Sequence, residues 1–223
     1  MKKTALLLLL PLLTVLSASA QDVKLKTEGQ DPAYVETIKG RSQKIVDKLG
    51  LADKQKAENV LNIVCNRYFK LNDIHEEADK AVKEAKEKLQ GQERDDAVKL
   101  AEATREAKLY KQHFELEGAL SLYLDEAGIT AIKDGMTYGV VDVTYKAYCD
   151  MIPSLKDVEK AQIMAWLKEA REFAMDAANS KAKHGWFGKY KGRINNYLSA
   201  RGYNIQQERQ AWEERIKARQ NKK

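Results

Sequence analysis

Residues 181–203 carry the residue types from which sugar-binding sites are built. The stretch holds five aromatic rings, six cations and two asparagines, and no Asp or Glu occurs from residue 177 to residue 207. The apolar face of a pyranose stacks on Trp or Tyr, while amide and guanidinium groups hydrogen-bond to its hydroxyls. The clustered cations further suit a glycan that carries acidic groups, so the stretch predicts an oligosaccharide site.

Residues 186, 190, 193 and 197 repeat at spacings of four and three, and they therefore share one helical face. Such a strip suits a sugar chain, but the same spacing is also typical of a packed core whose lysines face water. Burial decides between the two interpretations. The predicted ligand-binding residues of this stretch are His184, Trp186, Lys189, Tyr190, Arg193, Asn196 and Tyr197.

A second candidate lies at residues 132–140. Asp134 precedes a glycine and can expose its carboxylate at the end of a helix, and Tyr138 precedes Gly139, where the backbone can approach a ligand closely. A simple turn between two helices would have the same sequence. We expect Asp134 and Tyr138 to line one cleft with the residues of the first stretch.

An enzyme is the first alternative to a binding protein. Asp134, Glu172 and Asp176 supply carboxylates for glycoside or uronate chemistry, with His184 as acid or base. The acidic residues 169, 172 and 176 also lie on one helical face, and this pattern is typical of a helix surface that is exposed to solvent. The chain has no nucleophile elbow and no phosphate-binding loop. Binding is therefore favoured over catalysis, and no cofactor is expected.

Metal binding is not expected either. The three histidines are scattered, with no pair four residues apart, and the chain lacks a C-x-x-C motif. Cys65 and Cys149 are the two cysteines. They either lie as free thiols on helices or form a disulfide in an oxidising compartment, and the sequence leaves this open.

The first twenty residues have the pattern of a secretory signal peptide. Lys2 and Lys3 precede an apolar stretch, and Ala18-Ser19-Ala20 has the small residues that signal peptidase requires. We expect cleavage after residue 20 and a periplasmic or secreted protein without a membrane anchor. Export also makes nucleic acid an unexpected partner, although the net charge of the whole chain is +6.

The elements that position these residues are predicted to be helices. The chain of 223 residues is 32% charged and 43% hydrophobic, and it contains three Pro. We expect an all-α bundle in which a long antiparallel helix hairpin, roughly 53–90 and 93–124, packs against shorter C-terminal helices. A polar lead-in at 21–31 precedes a single helical domain at 32–223.

Several helix boundaries and faces follow from local patterns. Asp31 before Pro32 predicts a helix start, Gly50 the end of that helix, and Ser154 the start of a later helix. His75 lies on the apolar seam of the first hairpin helix and is expected to be an interior, hydrogen-bonded histidine. The predicted seam of the second hairpin helix is Leu100, Ala103, Ala107, Tyr110, Phe114, Glu117, Ser121 and Leu124.

Three motifs, at 133–140, 169–176 and 183–198, resemble a known family. They read KDGMTYGV, EAREFAMD and KHGWFGKYKGRINNYL. With them, nearly all of residues 32–215 resembles the secreted bacterial family catalogued as domain of unknown function 3826. The resemblance implies sugar binding by a protein of polysaccharide-degrading bacteria. It brings no established catalytic residues, so it assigns a class of activity and no role to any side chain.

The function expected from the sequence is therefore a secreted or periplasmic carbohydrate-binding accessory protein for acidic, plant-type polysaccharides. A helical periplasmic chaperone is a further alternative. Three predicted helix starts, at residues 51, 124 and 155, share a Leu followed by an acidic turn. They are distantly like the Leu-Thr-x-x-Gln boxes of small helical chaperones, but the Thr is missing in every copy. Ordinary helix capping explains the same pattern.

Overall fold

The computed structural model describes residues 22–221, and the predicted signal peptide lies outside the described residues. The all-α prediction is confirmed, because the described residues form helices and turns without a strand. The helices are α1 (Pro32–Val46), α2 (Lys54–Lys88), α3 (Gly91–His113), α4 (Glu115–Leu120), α5 (Glu126–Met136), α6 (Val140–Met151), α7 (Asp157–Met175), α8 (Ser180–Ala200) and α9 (Ile205–Gln220).

The boundaries of α1 agree with the prediction. Asp31 is the N-cap, its carboxylate accepts a hydrogen bond from the Tyr34 amide at 2.9 Å, and Pro32 follows it. A short 3-10 helix, Asp47–Leu49, extends α1 to Gly50. Gly50 has a φ of 60°, which a residue without a Cβ adopts at little cost, and the helical segment ends there.

The predicted hairpin is formed by α2 and α3, with a tighter break than expected. Only Leu89 and Gln90 separate the two helices, and Gly91 is already the first residue of α3. The second helix does not continue to residue 124. It ends at His113, and the short helix α4 follows after Phe114.

The predicted seam of the second hairpin helix is wrong for its large apolar residues. Leu100, Tyr110 and Phe114 are 69%, 75% and 65% exposed, and α3 buries none of its residues. The side that faces α2 carries small side chains, such as Ala97 and Ala101, together with charged ones: Lys108 donates a hydrogen bond to Glu77 at 2.6 Å. Because α3 is held by ion pairs and small side chains, its aromatic residues remain on another face.

The C-terminal half forms a second core. Buried residues of α6, α7 and α8 pack together there, including Tyr148, Leu167, Phe187 and Ile194, with Trp212 of α9 partly buried against them. The first core is formed by α1, α2, α4 and α5. Met175 at the end of α7 belongs to the first core, so α7 contacts both. The assignment of residues 32–223 to a single domain stays a prediction.

The predicted Ser154 cap is wrong, because α7 begins at Asp157. The residue before the helix is Lys156, whose backbone amide donates to the Glu159 carboxylate at 2.9 Å. Glu159 is buried and also accepts a hydrogen bond from the Tyr203 hydroxyl at 2.7 Å. The chain before α7 stays non-helical while Leu155 enters the core.

Gly135 of α5 is a point of close approach. A Cβ at this position would lie 2.5 Å from the Cγ2 of the buried Ile45 in α1. A Cβ added at Gly185 or Gly188 of α8, where the helix is continuous, would meet open space. Glycine is thus required for packing between α1 and α5, whereas nothing in the structure explains the glycines beside Trp186.

Both cysteines are free thiols in the structure, Cys65 buried in the first core and Cys149 half-buried on α6. Within residues 22–221, no helix is long and apolar enough to cross a membrane. The same part of the chain holds no group of three or more His, Cys, Asp or Glu side chains arranged to bind a metal.

Candidate functional site

A cleft of about 540 Å³ lies where the C-terminal half of α3 faces the junction between α7 and α8. Helix α2 closes it from below with His75 and Asp79, and α8 contributes Ala182 and Trp186. Four helices therefore meet at this cleft. The lining also includes Arg105, Glu106, Tyr110 and His113 of α3, Phe114 after α3, Glu172 and Phe173 of α7, and Asp176 after α7.

Asp176 joins the polar groups of the cleft floor. It is the residue at which α7 ends, and its two carboxylate oxygens have different partners. Oδ1 accepts a hydrogen bond from the buried Arg67 guanidinium of α2, and Oδ2 lies 2.7 Å from His113 Nδ1. Its backbone carbonyl accepts from His75 Nε2 at 2.8 Å, which is the hydrogen bond predicted for this histidine.

Glu172, one turn before Asp176, is held by two cations. Its Oε2 accepts from the Lys133 ammonium of α5 at 2.9 Å, and its Oε1 accepts from Arg171 at 3.2 Å. Lys133 also donates to Glu117, and Arg171 donates to Asp134 at 2.9 Å. Together with Arg67, His113 and Asp176, these side chains form one network of charged groups that joins α2, α3, α4, α5 and α7 under the cleft.

His113 is the titratable group of this network that faces both carboxylates. Its hydrogen bond with Asp176 raises the pKa of the imidazole above its ordinary value of 6.5, against the effect of burial. The charges of Asp176 and Glu172 act in the same direction, and Arg67 opposes them. The imidazolium is therefore stabilised in this position.

Lys183 of α8 lies behind the floor in an apolar setting. Its ammonium donates a hydrogen bond to the Met136 carbonyl at 2.9 Å and lies 5.3 Å from the centroid of the Tyr68 ring. Burial lowers the pKa of this lysine to about 8. With only 5% of its surface exposed, Lys183 supports the floor and does not reach the cleft.

The rim of the cleft is aromatic. Tyr110 of α3 and Phe114, which follows α3, are largely exposed and pack edge-to-face with ring centroids 6.3 Å apart. Phe173, 47% exposed, stacks on Trp186 across the α7–α8 junction at 4.6 Å. Phe114 also packs edge-on against His113 at 5.0 Å, so the aromatic rim adjoins the polar floor.

The comparison with protein families matches most of this chain. The model described as "Protein of unknown function (DUF3826)" covers residues 35–218. The chain belongs to this family. All of the cleft residues fall inside the matched region. A comparison with curated proteins gave no match.

The structure separates the residues that their types and spacing predicted as one sugar site. Trp186 lines the cleft, but both of its faces are covered, one by Phe173 and the other by the Lys189 ammonium 4.4 Å from its centroid. Tyr190 is buried beside Phe173 at 6.5 Å. Neither ring offers a free face for a pyranose.

Other predicted residues continue along the α7–α8 surface away from the cleft. The Arg193 guanidinium lies 4.6 Å from the centroid of Trp166 and 3.4 Å from a Glu169 oxygen. Tyr197 packs edge-on against Trp166 at 5.1 Å. Asn196 is exposed on the same helix. Their roles in ligand binding stay predictions.

Asp134, Tyr138 and His184 lie outside the cleft lining. Asp134 pairs with Arg171 below the floor. Tyr138 stacks on His184 with centroids 5.5 Å apart and has a φ of 61°, a left-handed conformation that is rare for a residue with a Cβ. The single cleft expected from these residues and Trp186 is therefore divided between two surfaces.

Sequence reasoning missed several residues of the cleft floor and rim. His113 and Arg67 lie far from Glu172 and Asp176 in sequence and meet them only through packing of the hairpin on α7. Tyr110 and Phe114 were assigned to an apolar seam. A signal did exist: Tyr110, His113 and Phe114 are spaced as neighbours on one helical face, and that face mixes a histidine with aromatic rings.

Proposed function

We propose that this protein binds carbohydrate in the cleft between α3 and the α7–α8 junction. One observation carries the proposal. Of the large hydrophobic side chains that are exposed within residues 22–221, four are aromatic, and three of these four, Tyr110, Phe114 and Phe173, line the same cleft. Leaving such rings in water has a cost that a stacked sugar ring removes.

The polar floor beneath these rings supports the same function. His113 and Glu172 have side chains that are 20% and 30% exposed, so sugar hydroxyls can reach them. Arg105 and Glu106 add a cation and a carboxylate at the wall. Directional groups below apolar rings match the two faces of a sugar, and the volume of the cleft is within the range of small-ligand sites.

The proposal includes export. The signal-peptide pattern of residues 1–20 supports a secreted or periplasmic protein, and the family resemblance supports a bacterial protein of polysaccharide utilisation. An oligosaccharide released outside the cytoplasm is then the ligand that the protein meets.

Calorimetry with a panel of neutral and acidic oligosaccharides tests the proposal. Phe114→Ala and Tyr110→Ala each remove an exposed stacking surface and should weaken the affinity about 3- to 10-fold. Leu100→Ala is the matched control, because Leu100 is equally exposed on α3 but lies outside the cleft lining, and its affinity should be unchanged.

Two outcomes contradict carbohydrate binding at this cleft. The first is that no oligosaccharide of the panel binds the wild-type protein. The second is that a glycan binds and Leu100→Ala weakens it as much as Phe114→Ala does. Suppression of client-protein aggregation without glycan binding would support the chaperone alternative instead.

A further inference from the structure

The two carboxylates of the cleft floor are not free to act on a ligand. Both oxygens of Glu172 accept from cations, Oε1 from Arg171 and Oε2 from Lys133. Both oxygens of Asp176 are engaged as well, one by Arg67 and one by His113. A hydrolytic mechanism in which one of them attacks or activates water would first have to break these contacts.

The imidazole of His113 is different, because only one of its nitrogens is held. Nδ1 is fixed by Asp176 at 2.7 Å, whereas Nε2 lies 3.7 Å from the nearest Glu172 oxygen, beyond hydrogen-bond distance. A histidine oriented through one nitrogen by a carboxylate presents the other nitrogen for proton transfer. In this cleft, the nitrogen available for proton transfer is Nε2 of His113.

A cation with little competition lies on the same wall. Arg105 is two turns before His113 on α3, and among residues 22–221 its guanidinium pairs with the neighbouring Glu106 carboxylate alone, at 3.4 Å. Asp79 and Glu106 are the acidic side chains beside it. An arginine in this position suits the carboxylate of a uronic acid, which it can bind in bidentate fashion.

We propose that the cleft cleaves uronate-containing glycans by β-elimination, with His113 as the catalytic base and Arg105 as the carboxylate-binding residue. The inference rests on the proposed carbohydrate binding. It goes beyond that function, because it assigns a reaction, a substrate class and two roles to the cleft.

The reaction needs one proton acceptor and no added oxidant or reductant. Unprotonated Nε2 of His113 takes the proton from C5 of the uronate, and the C–H electron pair forms a double bond between C4 and C5. The C4–O4 bond breaks, and the departing oxygen takes a proton from the imidazolium. The products are a 4,5-unsaturated uronate and a new reducing end. Arg105 balances the negative charge that develops on the carboxylate during proton removal.

Asp176 is the positioning residue of this mechanism. It holds Nδ1 and stabilises the imidazolium, so it should set the pH at which His113 becomes a base. The other charged groups that act on His113 are Glu172 from α7 and Arg67 from α2. Activity should rise with pH as the imidazole loses its proton, and Asp176→Asn should move this rise to lower pH.

The test uses the full chain with polygalacturonate, alginate and glucuronate-containing oligosaccharides, and with the same polymers after reduction of their carboxyl groups. The ultraviolet absorbance of the unsaturated product measures elimination, and calorimetry measures binding. Elimination should occur with a carboxylate substrate and not with its reduced form. His113→Gln should lower the rate about 100-fold or more while the glycan still binds.

The control is Lys146→Gln, because Lys146 is exposed on α6, where it pairs with Asp142 outside the cleft, and its loss should leave the rate unchanged. Circular dichroism checks that each variant folds, and if His113→Gln does not, Arg105→Gln and the Asp176→Asn pH profile test the same mechanism.

These measurements distinguish a failure of the proposed carbohydrate binding from a failure of the elimination mechanism. A wild-type protein that binds none of the glycans overturns the proposed function and this inference together. Binding without an unsaturated product, hydrolysis without ultraviolet absorbance, or full activity of His113→Gln overturns only the elimination mechanism and leaves carbohydrate binding in place.

Discussion

At the scale of single residues, Asp176 connects three side chains of the cleft floor. Its side chain joins Arg67 to His113, and its backbone carbonyl accepts from His75. It occupies the end of α7, where the last carbonyl groups of the helix lack partners within the helix. His75 thus satisfies a carbonyl group at this helix terminus, and the Asp176 side chain orients the imidazole that we assign to proton transfer.

The pKa of His113 makes the stability of the protein depend on pH. Because the folded pKa is raised above the ordinary 6.5, the stabilisation is fully present below pH 6.5 and is lost as pH rises through the folded pKa. We expect the free energy of unfolding, measured with urea, to fall over this window. His113→Gln should flatten the fall, and His184→Gln should retain it. An unchanged pH profile in His113→Gln would contradict the assignment.

At the scale of elements, α3 is a helix whose apolar residues do not build the core. Its contact with α2 uses ion pairs such as Lys108 with Glu77, and its two large rings, Tyr110 and Phe114, are left for the cleft. The helix therefore leaves its largest apolar side chains exposed to solvent. The short helix α4, which follows at once, supplies the buried residues Leu116 and Leu120.

Because Leu120 is buried and Phe114 is exposed, replacing each by alanine should lower the free energy of unfolding by different amounts. Leu120→Ala removes a fully buried side chain and should lower the free energy of unfolding by about 2 to 5 kcal/mol. Phe114→Ala, six residues earlier, removes an exposed ring and should lower it by about 0.5 kcal/mol or less. Urea unfolding measures both. Equal losses would mean that Phe114 packs in the core, as the heptad spacing had predicted.

The boundaries of α1 and the existence of the hairpin could be read from the sequence because each depends on local chemistry. Asp31, Pro32 and Gly50 act on their immediate neighbours. The inward face of α3 could not be read in this way. Alanines and charged residues compete there with the aromatic ones, and only the position of α2 and α7 decides which side is covered.

The candidate site also combines residues that local sequence patterns predict with residues that only helix packing brings together. The sequence analysis selected Glu172 and Asp176 as carboxylates, and they lie one turn apart in the cleft. It assigned them His184, whereas the histidine that contacts them is His113. Contacts between residues about sixty positions apart depend on the packing of whole helices, and no local sequence pattern predicts them.

At the scale of the molecule, Arg67 joins the hairpin to the C-terminal half. Its guanidinium donates to the Gln112 carbonyl of α3 at 2.8 Å and to Asp176 after α7. Its side chain is only 4% exposed, so the pair with Asp176 is shielded from water. Such a pair matters most when one partner is removed, because the remaining charge is then buried alone.

Arg67→Ala should therefore be one of the most destabilising single changes in the protein, costing about 3 to 5 kcal/mol. Arg193→Ala is the control, since Arg193 is exposed and pairs with Glu169 at the surface, where about 1 kcal/mol or less is expected. Thermal and urea unfolding measure the difference. A small effect of Arg67→Ala would show that the hairpin and α7 are held together by other contacts.

The close approach of α1 and α5 at Gly135 lets a residue outside the cleft influence the position of the cleft floor. Lys133 and Asp134 immediately precede this glycine, and they hold Glu172 and Arg171 beneath the cleft. A methyl group at position 135 would clash with Ile45 on the far side of α5 and displace this helix. Inherited variation at a residue that touches no ligand can thus change the alignment of the cleft floor.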